Sequence, residues 1–187
     1  MTRLSADTGA RSFEGILVKR RAVLTLVACV LGAGLTGCSA TTGTAAVDTS
    51  LTLQDAKTTA MRMETELAGF VPAEVVASID QCPTGVLLSC KGERAYQWTG
   101  QTKVLLNPES TYEGAAVTDA IATAYNGRDA YRAKTDLTTD GEPRVHVIGE
   151  DGQGYLVALS VDKTHVQILS FSPCFVLPEG LWPGDHY

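Results

Sequence analysis

Cysteine offers this chain its widest chemistry, because a thiol can be acylated, oxidised to a disulfide, bound to a metal or used as a nucleophile. There are five, at Cys29, Cys38, Cys82, Cys90 and Cys174. The first two lie in a stretch unlike the rest. Lys19, Arg20 and Arg21 precede an apolar run from Ala22 to Leu31; small residues follow at Gly32, Ala33 and Gly34, and Leu35-Thr36-Gly37 leads into Cys38. A basic segment, an apolar segment and a small-residue zone in that order make a secretory signal. From Ala22 to Leu35 the apolar segment has 14 residues. A membrane-spanning helix needs about 20, so the expectation is export, not a permanent span.

Leu35-Thr36-Gly37-Cys38 resembles the lipobox of bacterial lipoproteins. That resemblance implies that the Cys38 thiol receives a diacylglyceryl group and that cleavage occurs before it. Residues 1–37 are then a lipoprotein signal peptide, and Cys38 is the mature N-terminus. The expected location is the extracytoplasmic face of the cell membrane, with the bilayer a partner through the lipid on Cys38. An ordinary secretory signal that happens to carry a cysteine is the alternative. Two or more acyl chains suffice for stable anchoring, each buried methylene contributing about 0.8 kcal/mol. Arg20-Arg21 fits either twin-arginine export or a generic basic segment. Asp7 and Glu14 are unusual ahead of a signal, and a start at Val18 would leave a compact one of 20 residues.

The chain carries 15 Lys+Arg and 21 Asp+Glu. Five of the basic and two of the acidic residues fall within 1–37, which leaves ten and nineteen, a formal charge of −9. Such a sum repels nucleic acid and anionic headgroups. No nucleic acid partner is expected, and the lipid is left to hold the protein to the membrane. Residues 38–51 are small, polar and without periodicity, and read as a flexible tether reaching about 20 Å. Residues 52–187 have the size of one domain.

Within that domain the apolar spacing names most elements. Leu53, Ala56, Ala60, Met63, Leu67 and Phe70 recur every three or four residues behind an N-cap at Thr52, which predicts a helix with Lys57, Arg62, Glu64 and Glu66 mostly off its buried stripe. A second helix is predicted from a Ser110/Glu113 capping box, with Val117, Ala120, Ile121, Ala124 and Tyr125 inward and Asn126-Gly127 as its stop. Residues 75–79 are of uncertain type. Val86–Cys90 reads as a buried strand, and 95–98 and 102–106 as two strands joined around Gly100. Four more strands are predicted near 130–137, 143–149, 154–161 and 165–172, linked by Asp140-Gly141, Asp151-Gly152 and Asp162-Lys163. Short links favour an antiparallel meander, with one face covered by the helices and either Leu156/Ala158 or Val157/Leu159 turned inward. The expected fold is therefore α+β, a meander sheet with two helices on one face. Residues 172–187, rich in Pro and Gly, read as an irregular tail packed through Phe175, Leu177, Leu181 and Trp182.

With Cys29 removed and Cys38 lipidated, Cys82, Cys90 and Cys174 remain. Outside the cytoplasm one disulfide is expected, with one thiol left over. Loop entropy favours Cys90–Cys174, worth about 4–5 kcal/mol, over Cys82–Cys90, worth about 2–3 kcal/mol, and leaves both open. The remaining thiol reads as a small buried residue. Leu87-Leu88-Ser89-Cys90, Tyr96-Gln97-Trp98-Thr99-Gly100 and Ser170-Phe171-Ser172-Pro173-Cys174-Phe175, behind the lipobox, resemble small uncharacterised lipoproteins of actinobacteria. The similarity spans most of 52–175. It implies the Cys90–Cys174 pairing, leaves Cys82 outside its pattern and brings no activity.

Other chemistry is weaker. Asp136, Thr138, Asp140 and Gly141 echo an EF-hand loop, but the twelfth position is Val147 and Pro143 interrupts the ligands, so a hairpin turn is expected. Gly149, Gly152 and Gly154 lack phosphate-loop spacing. His146, His165 and His186 lack metal-ligand spacing, and no nucleophile elbow accompanies the serines. Tyr96, Trp98, Tyr131, Tyr155 and Trp182 could line a peptide or glycan groove, with core packing the plainer account. No cofactor, metal or catalytic residue is expected. The functional expectation is a non-enzymatic envelope module that binds a protein, peptide or glycan; the alternative is an envelope hydrolase. A two-lobed solute receptor does not suit a domain this small.

Overall fold

Thr52 begins the first helix as its spacing requires. In this computed structural model, which describes residues 46–187, the Thr52 hydroxyl accepts from the Asp55 N–H at 3.1 Å and α1 runs from Leu53 to Ala68. The signal segment, Cys38 and most of the expected tether lie outside the described residues. After a 3-10 turn at Ala73–Val75 come β1 (Val76–Gln81), β2 (Val86–Ser89), β3 (Ala95–Leu106) and α2 (Gly114–Asn126). Then follow β4 (Tyr131–Leu137), β5 (Pro143–Gly149), β6 (Gly154–Leu159), β7 (His165–Phe171) and the two-residue β8 (Phe175–Val176).

The pairings between these strands are antiparallel, in the order β1-β3-β7-β6-β5-β4, with β2 and β8 added to the first half of β3. The four strands β4 to β7 form the expected meander. Each of its links contains one left-handed residue, Gly141, Gly152 or Lys163 (φ 83°, 86° and 57°), which matches tight turns to the twist of the strands. One face packs on both helices. Val104, Val145, Val147, Val157, Val166 and Ile168 meet Met63, Leu67, Val117, Ile121 and Tyr125 there, all buried. Val157, with Leu159 half-buried, is the inward set on β6.

Several expectations are corrected. Residues 95–106 are one 12-residue strand. Gly100 is required by close approach and not by a turn, since a Cβ there would fall 2.2 Å from the Trp98 ring and 2.9 Å from Glu64 Oε1. Only Leu87 of β2 is buried, because β2 lies at the sheet margin beside β3 alone. The capping box does not form: Ser110 Oγ donates to the Asn107 carbonyl at 2.7 Å, a local turn that competes with helix, and α2 starts at Gly114 with no side-chain cap. Glu64, read as off the stripe, is fully buried, four residues from both Ala60 and Ala68 on the packed side of α1.

The tail closes a second, smaller core. Phe175 and Leu177 are buried with Trp98, Ala56 and Ala60, whereas Leu181 and Trp182 stay exposed, Trp182 at 69%. Tyr187 returns to Gly85 through two backbone hydrogen bonds of 2.7 and 3.0 Å, and its carbonyl accepts from the Trp98 indole at 3.1 Å. The last residues of the expected tether also join the fold, with Asp48 N–H donating to the Cys174 carbonyl at 2.8 Å beside Phe175.

Cys90 and Cys174 form the disulfide, 6.2 Å apart at Cα and 84 residues apart in sequence. It ties the end of β2 to the start of the tail. In the chain-entropy account a loop this long contributes about 4–5 kcal/mol. Replacing both cysteines by Ser should lower the urea-unfolding free energy by that order, with wild-type protein in reductant showing the same loss; an unchanged midpoint would contradict it.

Candidate functional site

Between β3 and α2 the chain does not go straight. Asn107 fixes the turn: its N–H donates to the Val75 carbonyl at 2.9 Å and its side-chain amide to the Glu74 carbonyl at 3.3 Å. Leu106 N–H donates to the Thr164 carbonyl at 3.0 Å, which binds the loop to the β6–β7 hairpin. Pro108 and the Ser110 turn then deliver Tyr112 to the surface of the helix layer. Its ring stands between two hollows. One, about 560 Å³, is lined by apolar Leu106, Pro108 and Leu159 and by polar Asn107, Ser110, Thr164, Glu142 and Lys163. The other, about 340 Å³, lies against Phe70, Pro72, Val75, Ala116, Val117 and Ala120, with Glu74 and Glu113 at its rim. Both volumes fall in the range of small-ligand sites.

Two of the charged groups of this cleft are paired with each other. Lys163 Nζ lies 2.7 Å from Glu142 Oε1 across its mouth, and the hydrogen bond from Glu142 raises the lysine's pKa. Burial pushes the Tyr112 phenol up to about 12, so it is a neutral donor and acceptor at any physiological pH. Among the described residues its hydroxyl has no hydrogen-bond partner. The arrangement can hold a ligand by an apolar bed, an aromatic wall and a few polar contacts. The Thr164 hydroxyl in its lining lies 3.0 Å from His165 Nδ1 and donates to Asp162 Oδ1 at 2.8 Å, bonds that belong to the β6–β7 turn.

The cysteines expected to matter are dispersed. Cys38 lies outside the described residues, Cys90 and Cys174 are joined, and Cys82 is free and half-buried. Cys82 and His186 line a shallow hollow of about 440 Å³, with no hydrogen bond between them among the described residues. Asp136 belongs to a surface ion pair instead of a cation loop. Arg144 donates to both its oxygens at 2.8 Å, and that bonding holds the carboxyl down at about 2. The EF-hand echo is a hairpin, with Gly141 N–H donating to the Thr138 carbonyl at 3.0 Å. No cluster of three potential metal ligands occurs among the described residues. The aromatic residues do not share one groove either. Trp98 and Tyr155 are core, Tyr131 packs edge-on against Tyr125, and Trp182 projects into solvent. In the sequence Tyr112 falls inside the Ser110/Glu113 capping-box spacing and so reads as part of a helix start. Pro108 just ahead of the supposed capping box was the signal for a loop there.

No protein-family model matches this chain, and no curated protein matches it. Among solved structures it is similar to the crystal structure of a DUF4853 family protein from Actinomyces odontolyticus ATCC 17982. The two are 14% identical over 75% of this chain and 80% of that one, with a TM-score of 0.41. A likeness that distant decides nothing about function.

The half-buried phenol of Tyr112 makes a checkable prediction. A tyrosine raised from about 10 in the unfolded chain to about 12 adds stability that is complete below pH 10 and lost as pH rises through 12. Tyr112→Phe should therefore flatten the alkaline limb of the stability curve between those values and remove one late-titrating phenol from the ultraviolet titration. A variant with an unaltered alkaline limb would contradict the assignment.

Proposed function

We propose that this protein is a lipid-anchored cell-envelope module that binds a ligand without transforming it, held to the extracytoplasmic face of the membrane through Cys38. The observation that carries the binding reading is the cleft on either side of Tyr112. It joins apolar side chains to the Tyr112 ring, whose hydroxyl has no partner among the described residues, while Ser110 is bonded to Asn107 and Lys163 to Glu142. The lipobox at Leu35-Thr36-Gly37-Cys38 supports the anchor. A protein, peptide or glycan of the envelope is the ligand class. The rival reading, a hydrolase, has two observations in its favour. One is the shared hollow of Cys82 and His186, where the thiol has no hydrogen-bonded base among the described residues to activate it. The other is the Thr164 hydroxyl 3.0 Å from His165 Nδ1 in the lining of the cleft, a hydroxyl that donates to Asp162.

A photo-crosslinking amino acid at Thr111, which lines both hollows, tests this in intact envelopes. A discrete adduct is expected there, absent when the probe sits at exposed Asp129 and lost on Tyr112→Ala. Equal adducts from both positions would contradict the site. In the same cells Cys38→Ser should move the protein from the membrane to the soluble fraction, and the mass of the N-terminal peptide reads the lipid directly.

A further inference from the structure

Antiparallel partners turn their side chains to the same face, so the strand registers sort every residue of the sheet. The face away from the helices carries Arg132, Lys134 and Asp136 on β4, Arg144 on β5, Lys103 on β3 and Asp80 on β1. Residues 46–187 hold ten basic and nineteen acidic residues. Four basic and two acidic strand residues lie on this face, a charge of +2, against six and seventeen, or −11, for everything else, the loops bordering the face included. One of these acids, Asp162, reaches to 3.9 Å from His165 on the face. One acid of the pair, Asp136, is already bonded to Arg144. The total of −9 therefore hides a molecule with one basic side.

That side is also apolar at its centre. Ile148 is 55% exposed, and Leu156, Leu169 and Phe171 are half-buried across β5, β6 and β7. Among them Gly154 opens a notch of about 100 Å³. Its φ is not positive, and a Cβ would meet nothing nearer than 4.0 Å. No turn or packing within the domain requires a glycine at this strand position, where glycine weakens a sheet and marks close approach by another body. His146 lines the notch, its Nε2 buried without a hydrogen bond and 3.4 Å from Asp136 Oδ1.

We infer that this open sheet face rests on the anionic surface of the bilayer that anchors the chain; the inference rests on the lipid anchor proposed above. Two observations select the bilayer. Charge segregation gives the face the sign that anionic headgroups attract, with basic side chains able to place their aliphatic stems at the interface beside Ile148 and Phe171. Continuity of the chain does the rest. Asp48 is fixed to the sheet at Phe175, and the ten residues from Cys38 to Asp48 can span no more than about 35 Å, so the face is kept at high effective concentration against the lipid. The same field repels the acidic remainder, so the helix layer and the Tyr112 cleft point away from the membrane, toward a ligand.

The test is lysine footprinting of the full chain, purified from its envelope and reconstituted in lipid vesicles. Lys103 and Lys134 lie on the open face, and Lys57, Lys91 and Lys163 elsewhere, so the protein carries its own controls. With an impermeant amine reagent, vesicles rich in phosphatidylglycerol should slow modification of Lys103 and Lys134 roughly tenfold relative to detergent, leaving the other three unchanged. Phosphatidylcholine vesicles should give little protection, and Arg132→Glu with Ile148→Asp should abolish it. Uniform reactivity of all five lysines in anionic vesicles overturns the proposal. So does protection found only in native envelopes and never in pure lipid, which assigns the face to a macromolecular partner. Flotation separates the two claims: a chain that floats in both lipids without protection overturns the face and keeps the anchor, and a chain that does not float overturns both.

Discussion

A carboxyl buried without a cation beside it is expensive unless hydrogen bonds replace its water, and the fold is arranged to supply them to Glu64. The side chain is fully buried under α1. Its Oε1 accepts from the Ser170 hydroxyl on β7. Its Oε2 accepts from Thr102 on β3 at 2.7 Å and from the Gln81 amide on β1 at 3.0 Å. One side chain thus joins the first helix to three strands. Gly100 is bare beneath it because any Cβ would collide with Glu64 Oε1 and with the Trp98 ring. In an otherwise apolar interface, this cluster fixes which residues of α1 meet which strands, a register that burial of Met63 and Leu67 alone would leave looser.

From that constraint the sidedness of the molecule follows. With α1 held over β3 and β7, α2 covers β4 and β5, and the tail completes the small core around Trp98. The disulfide and Asp48 secure the same end of the sheet. All of this material is on one face. The other face keeps its strand pattern of alternating residues with neither helix packed on it, and it gathers four of the ten basic residues. The helix layer, by contrast, offers a cleft. A domain with one face for a surface and another for a ligand suits a protein tethered by a short N-terminal segment.

What could be read from the sequence divides along physical lines. Helix α1, the meander and the exclusion of an EF-hand loop follow from local signals: the Thr52 cap, period-two alternation and Gly or Asp in the links. The Cys90–Cys174 bond agrees with loop entropy and with the resemblance to small lipoproteins. The errors lie where tertiary contacts overrule local ones. Gly100 reads as a turn until Trp98 and Glu64 are seen to need its space. Ser110 and Glu113 have capping spacing, but the backbone of Asn107 claims the hydroxyl. Glu64 looks solvated by type, though its spacing from Ala60 and Ala68 placed it on the packed side. Tyr112 as a cleft wall depends on Asn107 meeting Val75 from a distant part of the chain, which no local pattern contains. The basic face is invisible in a net charge and becomes evident once the strand registers are known.

The claim on which this account most depends is that Glu64 is present as a hydrogen-bond acceptor and not as a filler of space. Glu64→Leu separates the two, because it keeps the bulk and improves the apolar match while leaving the Ser170 and Thr102 hydroxyls without their acceptor. Urea unfolding of the substituted protein should show a loss of about 3 kcal/mol, the cost of two buried donors left unsatisfied. A variant as stable as the parent, or more so, would contradict the account and return α1 to the sheet on apolar packing alone.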